Sequence, residues 1–392
     1  MSSTVGFYEL ELKRYSHALQ SQKPSVRIEA TDFVNSDPTK ISWTRALVND
    51  LARLKNHHYM ADCLVHAIYR PYTKQWMYFN RQFNEMVYQM PRIFPHAQAK
   101  NLVILIKGNL ADVGQIALMV NTVVDLQPDR GAQCFPLHLY EKVEAPKLSE
   151  SADGNLFEEL SPEASNMDVQ ELQNGYVVRD GITDGGLQHF KDAYQGQQIS
   201  KEDLFYYIYG LLHSEDYKKR YADNLSKELP RIPAVKKFVD FQAFSTAGRK
   251  LADLHIGYES VKPYPVEIEG GALLMSSFGD ADYQVTQMKF PSKTDKTRVI
   301  YNHKITMSGI PLEAYDYVVN GKPALEWVME RQAVTTHKES GIVNDANLWA
   351  TETVGNAAYP FKLFQRVITV SLETMKIVQA LPRLDIVVGS KP

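Results

Sequence analysis

The stretch Ser200–Tyr258, SKEDLFYYIYGLLHSEDYKKRYADNLSKELPRIPAVKKFVDFQAFSTAGRKLADLHIGY, decides how the rest of the chain is read. Ser200 is a helix N-cap, and Glu202 and Asp203 put negative charge at the positive end of the first turn. Leu204, Tyr207, Ile208 and Leu211 then share one helix face. Ser214 opens a second helix with Glu215 and Asp216 in its first turn. Leu229-Pro230-Arg231-Ile232-Pro233 stops it, because neither proline supplies an amide and each restricts the residue before it. Pro233 suits the first position of a third helix, whose seam would be Phe241, Phe244, Gly248, Leu251 and His255. The spacing predicts a packed helical block with no reactive constellation of its own.

Outward from this block the chain changes character. Towards the N-terminus, Glu9 to Gln20 fits an amphipathic helix, and residues 21–40 are polar and broken by Pro24 and Pro38. Residues 1–40 therefore read as a connecting segment, which opens as if part of something longer. Leu47, Leu51 and Leu54 predict a helix. LVHAIYRPYTKQWMYFN, NEMVYQMPRIFP and NLVILIKG, between residues 64 and 108, predict strands. Val103–Ile106 is an uninterrupted apolar run, as a buried strand requires. Residues 41–140 make a β-rich subdomain ending at Cys134-Phe135-Pro136-Leu137. From Glu141 to Leu172 there are nine acidic residues against two lysines, so 141–180 reads as an acidic linker or long loop. Residues 181–260 hold the helical block. Residues 261–392 begin with strands in YQVTQMKF, TRVIYN and HKITMSGI and end in helices at Pro323–Val334 and Tyr359–Ala380, with His337 and Asp345 in the loop between them. The fold class is α+β: mixed β-sheet subdomains, a central helical block and C-terminal helices.

Bulk composition is that of an ordinary globular chain: 392 residues, 44% hydrophobic and 23% charged, with a net charge of −3. Two cysteines, Cys63 and Cys134, are too few for a zinc site, and a disulfide between them does not suit the cytoplasm expected for a chain with no membrane-spanning run or signal-peptide core. The overall charge hides an uneven distribution. Between residues 41 and 107 there are nine Lys or Arg and three Asp or Glu, interleaved with Tyr69, Tyr72, Trp76, Tyr78 and Phe79. Such a mixture holds phosphates and lies against bases. It is also ordinary strand amphipathicity, and on pattern alone a solvated sheet face is the commoner explanation. A second basic stretch, Thr286–Ser308, has five basic residues and one acid, Asp295. A hairpin of this kind either tracks a DNA backbone or keeps a sheet edge from aggregating.

Catalytic signatures are missing. Gly321-Lys322 lacks the upstream glycine and the hydroxyl residue of a phosphate-binding loop. Neither a methyltransferase cofactor loop, an Asn-Pro-Pro-aromatic tetrad nor a G-x-S-x-G elbow is present. Asp216-Tyr217-Lys218 has the D-x-K spacing of a magnesium nuclease but falls on a helix with no preceding strand carboxylate. His57 and His58 are adjacent and diverge. His213 and His255 sit at a helix end and on a seam, where structural histidines are common. The residues point to no catalytic group, no metal and no cofactor.

Several stretches together resemble a known family. Tyr69-Arg70-Pro71-Tyr72-Thr73-Lys74-Gln75-Trp76, Asn84-Glu85-Met86-Val87 and Pro91-Arg92-Ile93-Phe94-Pro95 lead. Cys134-Phe135-Pro136-Leu137, Ser200–Pro233 and Ala247–Tyr258 follow, then Gly309-Ile310-Pro311 through Trp327-Val328-Met329-Glu330-Arg331. In this order they resemble the C-terminal specificity (target recognition) domain of Type ISP restriction-modification enzymes, the LlaBIII-like single-chain family. The likeness runs from about Ile41 to near the C-terminus. In that family one polypeptide carries nuclease, ATPase motor, adenine-N6 methyltransferase and then this domain. The resemblance implies sequence-specific recognition of double-stranded DNA, with methyltransferase and helicase-nuclease domains as partners on the same polypeptide and no membrane. A docking module for the methyltransferase, with little DNA binding of its own, is the alternative. The expected phosphate contacts are Lys74, Arg81, Lys289, Lys293, Lys296 and Arg298. Arg70 joins them with a second reading, as a brace of the fold.

Overall fold

The computed structural model describes residues 2–21, 28–107, 117–125, 132–143, 175–225, 227–271 and 276–387. It is an α+β fold of small sheets, a helical block and C-terminal helices. Most of the acidic stretch, 144–174, lies outside the described residues. Its flanks pair with each other: His138–Lys142 runs antiparallel to Tyr176–Asp180.

The helical block forms for the local reasons its sequence supplies. The Ser200 hydroxyl accepts the Asp203 amide at 3.0 Å, and the Asp203 carboxylate accepts the Ser200 amide at 3.1 Å. This reciprocal cap opens the helix Lys201–His213. Ser214 caps the next helix, Glu215–Arg220. The third helix is Phe238–Ile256, and its start at Pro233 is corrected. Ala234 and Lys236 are instead tied to the C-terminal segment. Val387 donates to the Ala234 carbonyl at 3.1 Å, and Lys236 donates to that of Asp385 at 2.7 Å. Backbone hydrogen bonds to a distant strand-like segment replace a first helical turn. The seam Phe241, Phe244, Gly248, Leu251 and His255 is fully buried.

A three-stranded antiparallel sheet separates two cores. Its central strand, Val103–Lys107, pairs with Leu118–Val120 on one side and Ala132–Pro136 on the other. Alternate side chains face opposite ways along a strand. Val103 and Leu105 accordingly enter a core shared with the hairpin Leu64–Arg70/Thr73–Tyr78 and with the helices Ala324–Arg331 and Tyr359–Gln379. Ile104 and Ile106 enter the core of the helical block. A strand buried on both faces has to be apolar throughout, which accounts for the uninterrupted run. A third core joins helix Ser2–Gln20 through Tyr8, Leu12 and Tyr15 to helix Arg45–Ala52 through Leu47 and Leu51. Residues on both sides of Lys40 thus pack together.

Three strand and loop expectations are corrected. Residues 84–95 contain no strand; a loop leads into the short helix Met90–Ile93, where Pro91 takes a first-turn position. Residues 283–290 are not a strand either, apart from a single bridge between Lys289 and Ile300. The sheet here is Glu267–Ile268, Thr306–Ser308 and Val299–Ile300. His337 and Asp345 belong to the hairpin of Val334–Thr336 and Val343–Asp345, not to an open loop. Among the described residues no helix is long and apolar enough to cross a membrane.

Candidate nucleic-acid interface

The seven expected cations fall into two groups by what already holds them. Arg70, at the end of its strand, donates to the Asp125 carboxylate at 3.0 Å and lies 4.1 Å over the Tyr69 ring. Lys74 stands 2.5 Å from Glu259, whose other oxygen accepts the Tyr359 hydroxyl at 2.6 Å. Lys296 reaches Glu326 at 2.8 Å and borders the Phe290 and Tyr315 rings. Arg298 donates to Asp295 at 2.7 Å and Glu269 at 3.2 Å. Its hydrogen bond to Asp295, helped by Thr297, holds that carboxyl below the usual range.

Arg81, Lys289 and Lys293 differ. All three are exposed, and among the described residues none has a carboxylate partner. A phosphate approaching them displaces only water and counterions, whereas at the other four it competes with an ion pair already made. Lys289 and Lys293 project from one ordered hairpin, closed where Lys289 and Ile300 exchange backbone hydrogen bonds at 3.0 and 2.9 Å. Arg81 lies just beyond the strand Thr73–Tyr78, after Phe79 and Asn80. Free charge thus survives in both basic stretches.

The cation–aromatic interleaving extends to residues the sequence reading did not select. Arg331 lies 6.0 Å from both the Tyr69 and Trp327 rings, and Lys322 lies 4.3 Å over Trp327. Glu330 takes a hydrogen bond from Lys322 and forms an ion pair with Arg331. This ladder brings the Tyr-Arg-Pro motif against the Trp327–Arg331 motif, some 260 residues further along the chain. The four-residue spacing of Trp327 and Arg331 on one helix was the available signal.

Residues weighed for catalysis are engaged elsewhere. The Asp216 carboxylate accepts the Leu384 amide at 3.2 Å, and Lys218 pairs with Glu215 at 2.6 Å. His57 pairs with Asp50 at 2.9 Å and His58 with Glu9 at 3.0 Å, on different sides. His255 is buried between the Tyr209 hydroxyl at 2.6 Å and Thr374 at 2.9 Å. Among the described residues no group of three or more His, Cys, Asp or Glu is placed to hold a metal ion.

The sequence pattern of the Type ISP C-terminal specificity domain matches residues 2–363. The chain belongs to that family. Three solved structures are similar to this specificity domain over nearly all its length. A nuclease-deletion mutant of the Type ISP restriction-modification enzyme LlaGI, in complex with a DNA substrate mimic, is 32% identical with a TM-score of 0.74, over 98% of this chain and 31% of that one. The ATP-dependent Type ISP restriction-modification enzyme LlaBIII, bound to DNA, is 29% identical with a TM-score of 0.76, over 97% and 22%. The DrdV–DNA complex, from cryo-electron microscopy, is 28% identical with a TM-score of 0.71, over 95% and 33%. The specificity domain therefore spans between 22% and 33% of these three chains. No curated protein matches it.

Proposed function

We propose that this chain is the target-recognition module of a single-chain restriction-modification enzyme. It reads a short duplex DNA sequence and so directs adenine-N6 methylation and cleavage performed by other domains of the same cytoplasmic polypeptide. The observation that carries this reading is the match of at least 95% of the chain to parts of three larger proteins solved with DNA. Arg81, Lys289 and Lys293 are the foremost phosphate contacts, because their charge is not already neutralised within the fold. Arg70, Lys74, Lys296 and Arg298 act chiefly by holding the hairpins that present them. The chain catalyses nothing alone, in keeping with the absent phosphate loop, cofactor loop and methyltransferase tetrad. A docking module that leaves DNA to other domains is not favoured, since the matched proteins are DNA complexes.

Selection of bound duplexes from a random pool, followed by salt titration, tests this. Enrichment of one short sequence and affinity falling steeply with salt are expected. Binding of no duplex at low salt would defeat the reading.

A further inference from the structure

Among the described residues four non-glycines have positive φ: Leu54 at 54°, Tyr72 at 57°, Tyr88 at 44° and Asn320 at 52°. Side chains other than glycine resist this conformation, so each needs a compensating contact. Three have one inside the fold. Leu54 sits just past helix Arg45–Ala52, where Leu54 donates to the Leu51 carbonyl and Lys55 to that of Asp50, the paired bonds of a left-handed helix stop. Tyr72 is buried and hydrogen-bonds Tyr317 at 3.0 Å. Asn320 precedes Gly321 in a tight hairpin turn, where asparagine is favoured.

Tyr88 has none of these. It takes the first central position of a turn closed by the Met90 amide on the Val87 carbonyl at 3.0 Å, where glycine is the usual residue at positive φ. Its side chain is 74% exposed, beside Met86 at 57%. Among the described residues its one side-chain polar contact is a 3.5 Å approach of the hydroxyl to the Met86 sulfur. The loop beneath is firmly built. Asn84 donates to the Tyr78 and Asn80 carbonyls at 2.7 and 2.8 Å, and Phe83 packs edge-on to Tyr8 and Tyr78. Ile93 and Phe94 anchor the far side in the core. A rigid loop thus holds a tyrosine and a methionine in water at a conformational cost the fold does not recover.

We propose that the loop from Asn80 to Gln89 is a DNA-contacting finger in which the Tyr88 ring and Met86 bear against nucleobases while Arg81 takes a flanking phosphate. A nucleic-acid occupant is favoured by charge: of the nine basic residues in segment 41–107, Lys55, Arg70, Lys74 and Arg92 are held by carboxylates, whereas Arg81 stands exposed and unpaired among the described residues at the start of this loop. In a duplex an exposed apolar side chain on a rigid loop reaches base edges or wedges at a base step in a groove, while a neighbouring free arginine holds the backbone.

This inference rests on the duplex-binding reading, and its test separates the two. The measurement is affinity of the full chain for its selected duplex, with thermal stability alongside. Tyr88→Gly removes the ring and relieves the backbone, so binding falls roughly fivefold or more, the lower end of what one base contact in a duplex is worth, while the melting temperature is unchanged or higher. Tyr88→Asn, which also tolerates positive φ, gives the same pair of results if the glycine variant folds poorly. Tyr88→Phe keeps binding within about twofold. Arg81→Gln lowers the salt dependence by about one ion, and Tyr88→Gly leaves it unchanged. Duplex affinity at the wild-type level in folded Tyr88→Gly or Tyr88→Asn overturns the proposal and assigns the loop to a neighbouring protein domain. A wild-type chain that binds no duplex defeats the broader reading instead.

Discussion

Gly210 and Gly248 face each other where helices Lys201–His213 and Phe238–Ile256 cross. A Cβ on Gly210 would stand 2.2 Å from the Phe244 carbonyl oxygen, and one on Gly248 would stand 1.9 Å from that of Tyr206. Backbone thus meets backbone, and Tyr207 stacks on Phe241 with centroids 4.6 Å apart.

Gly248→Ala tests this crossing. Alanine favours a helix interior over glycine by about 1 kcal/mol, but here its methyl overlaps a backbone carbonyl that has no rotamer to yield. Overpacking of this kind costs about 1–3 kcal/mol, often more against backbone, so a lower denaturation midpoint is expected. Gly185→Ala is the control. That helical glycine has nothing within 4 Å of its Cβ position, so the midpoint should hold or rise.

The free and paired cations should separate in a binding assay. Lys289→Gln with Lys293→Gln removes unpaired charge from the hairpin. Duplex affinity should fall and the salt slope should shrink by about one per lysine, with melting unchanged. Arg298→Gln leaves Asp295 and Glu269 without their partner, so it should lower melting slightly as well. Lys293→Glu with Arg298→Glu combines both effects. If the two lysines can be neutralised with no change in slope, the hairpin does not touch phosphate.

How much of this was legible beforehand follows from the range of the interactions involved. The caps at Ser200 and Ser214 and the seam from Phe241 to His255 are set by neighbours within a few residues, so periodicity and capping chemistry locate them. The start of the third helix is not local, because Ala234 and Lys236 bond to residues some 150 positions away. Ion pairing is worse placed: whether Lys74 or Lys296 is free depends on Glu259 and Glu326, 185 and 30 residues distant. Basic composition therefore marked two cationic stretches without showing which of their charges remained unpaired. The fold of Tyr88 back to positive φ left no trace in composition at all.

Acid should loosen the helical block before it loosens the rest. Burial pushes the His213 imidazole down from 6.5 to about 4, with Lys218 adding repulsion, and its Nδ1–H donates to the Tyr209 carbonyl at 2.8 Å. His255, its rings 5.5 Å away, is also driven well below the ordinary value by burial. The unfolded chain therefore binds protons more readily than the folded one. Stability held above pH 6.5 is lost as pH falls towards 4, on the order of 3 kcal/mol for His213 alone. Melting temperature followed from pH 7.5 to 4.5 should drop, and a His213→Gln variant should show a flatter profile over that window. A parallel drop in both would move the acid sensitivity to other groups.

Tyr72 and Tyr317 connect the first hairpin to the C-terminal third of the chain through one buried hydrogen bond, hydroxyl to hydroxyl at 3.0 Å across 245 residues of sequence. Burial raises both phenols far above the ordinary range, so the pair stays neutral throughout. His255 stacks on the Tyr317 ring at 5.2 Å, which fixes its orientation. Tyr72→Phe leaves one buried hydroxyl without its partner and should cost about 1–3 kcal/mol. Tyr317→Phe should cost a similar amount. The double variant should cost less than the sum, because removing both hydroxyls leaves neither orphaned, and a coupling of about 0.5–3 kcal/mol is expected from the cycle. Strict additivity in chemical denaturation would show that the two hydroxyls do not depend on each other and that other contacts, such as the Lys74–Glu259–Tyr359 link and apolar packing, make the join between hairpin and C-terminal helices.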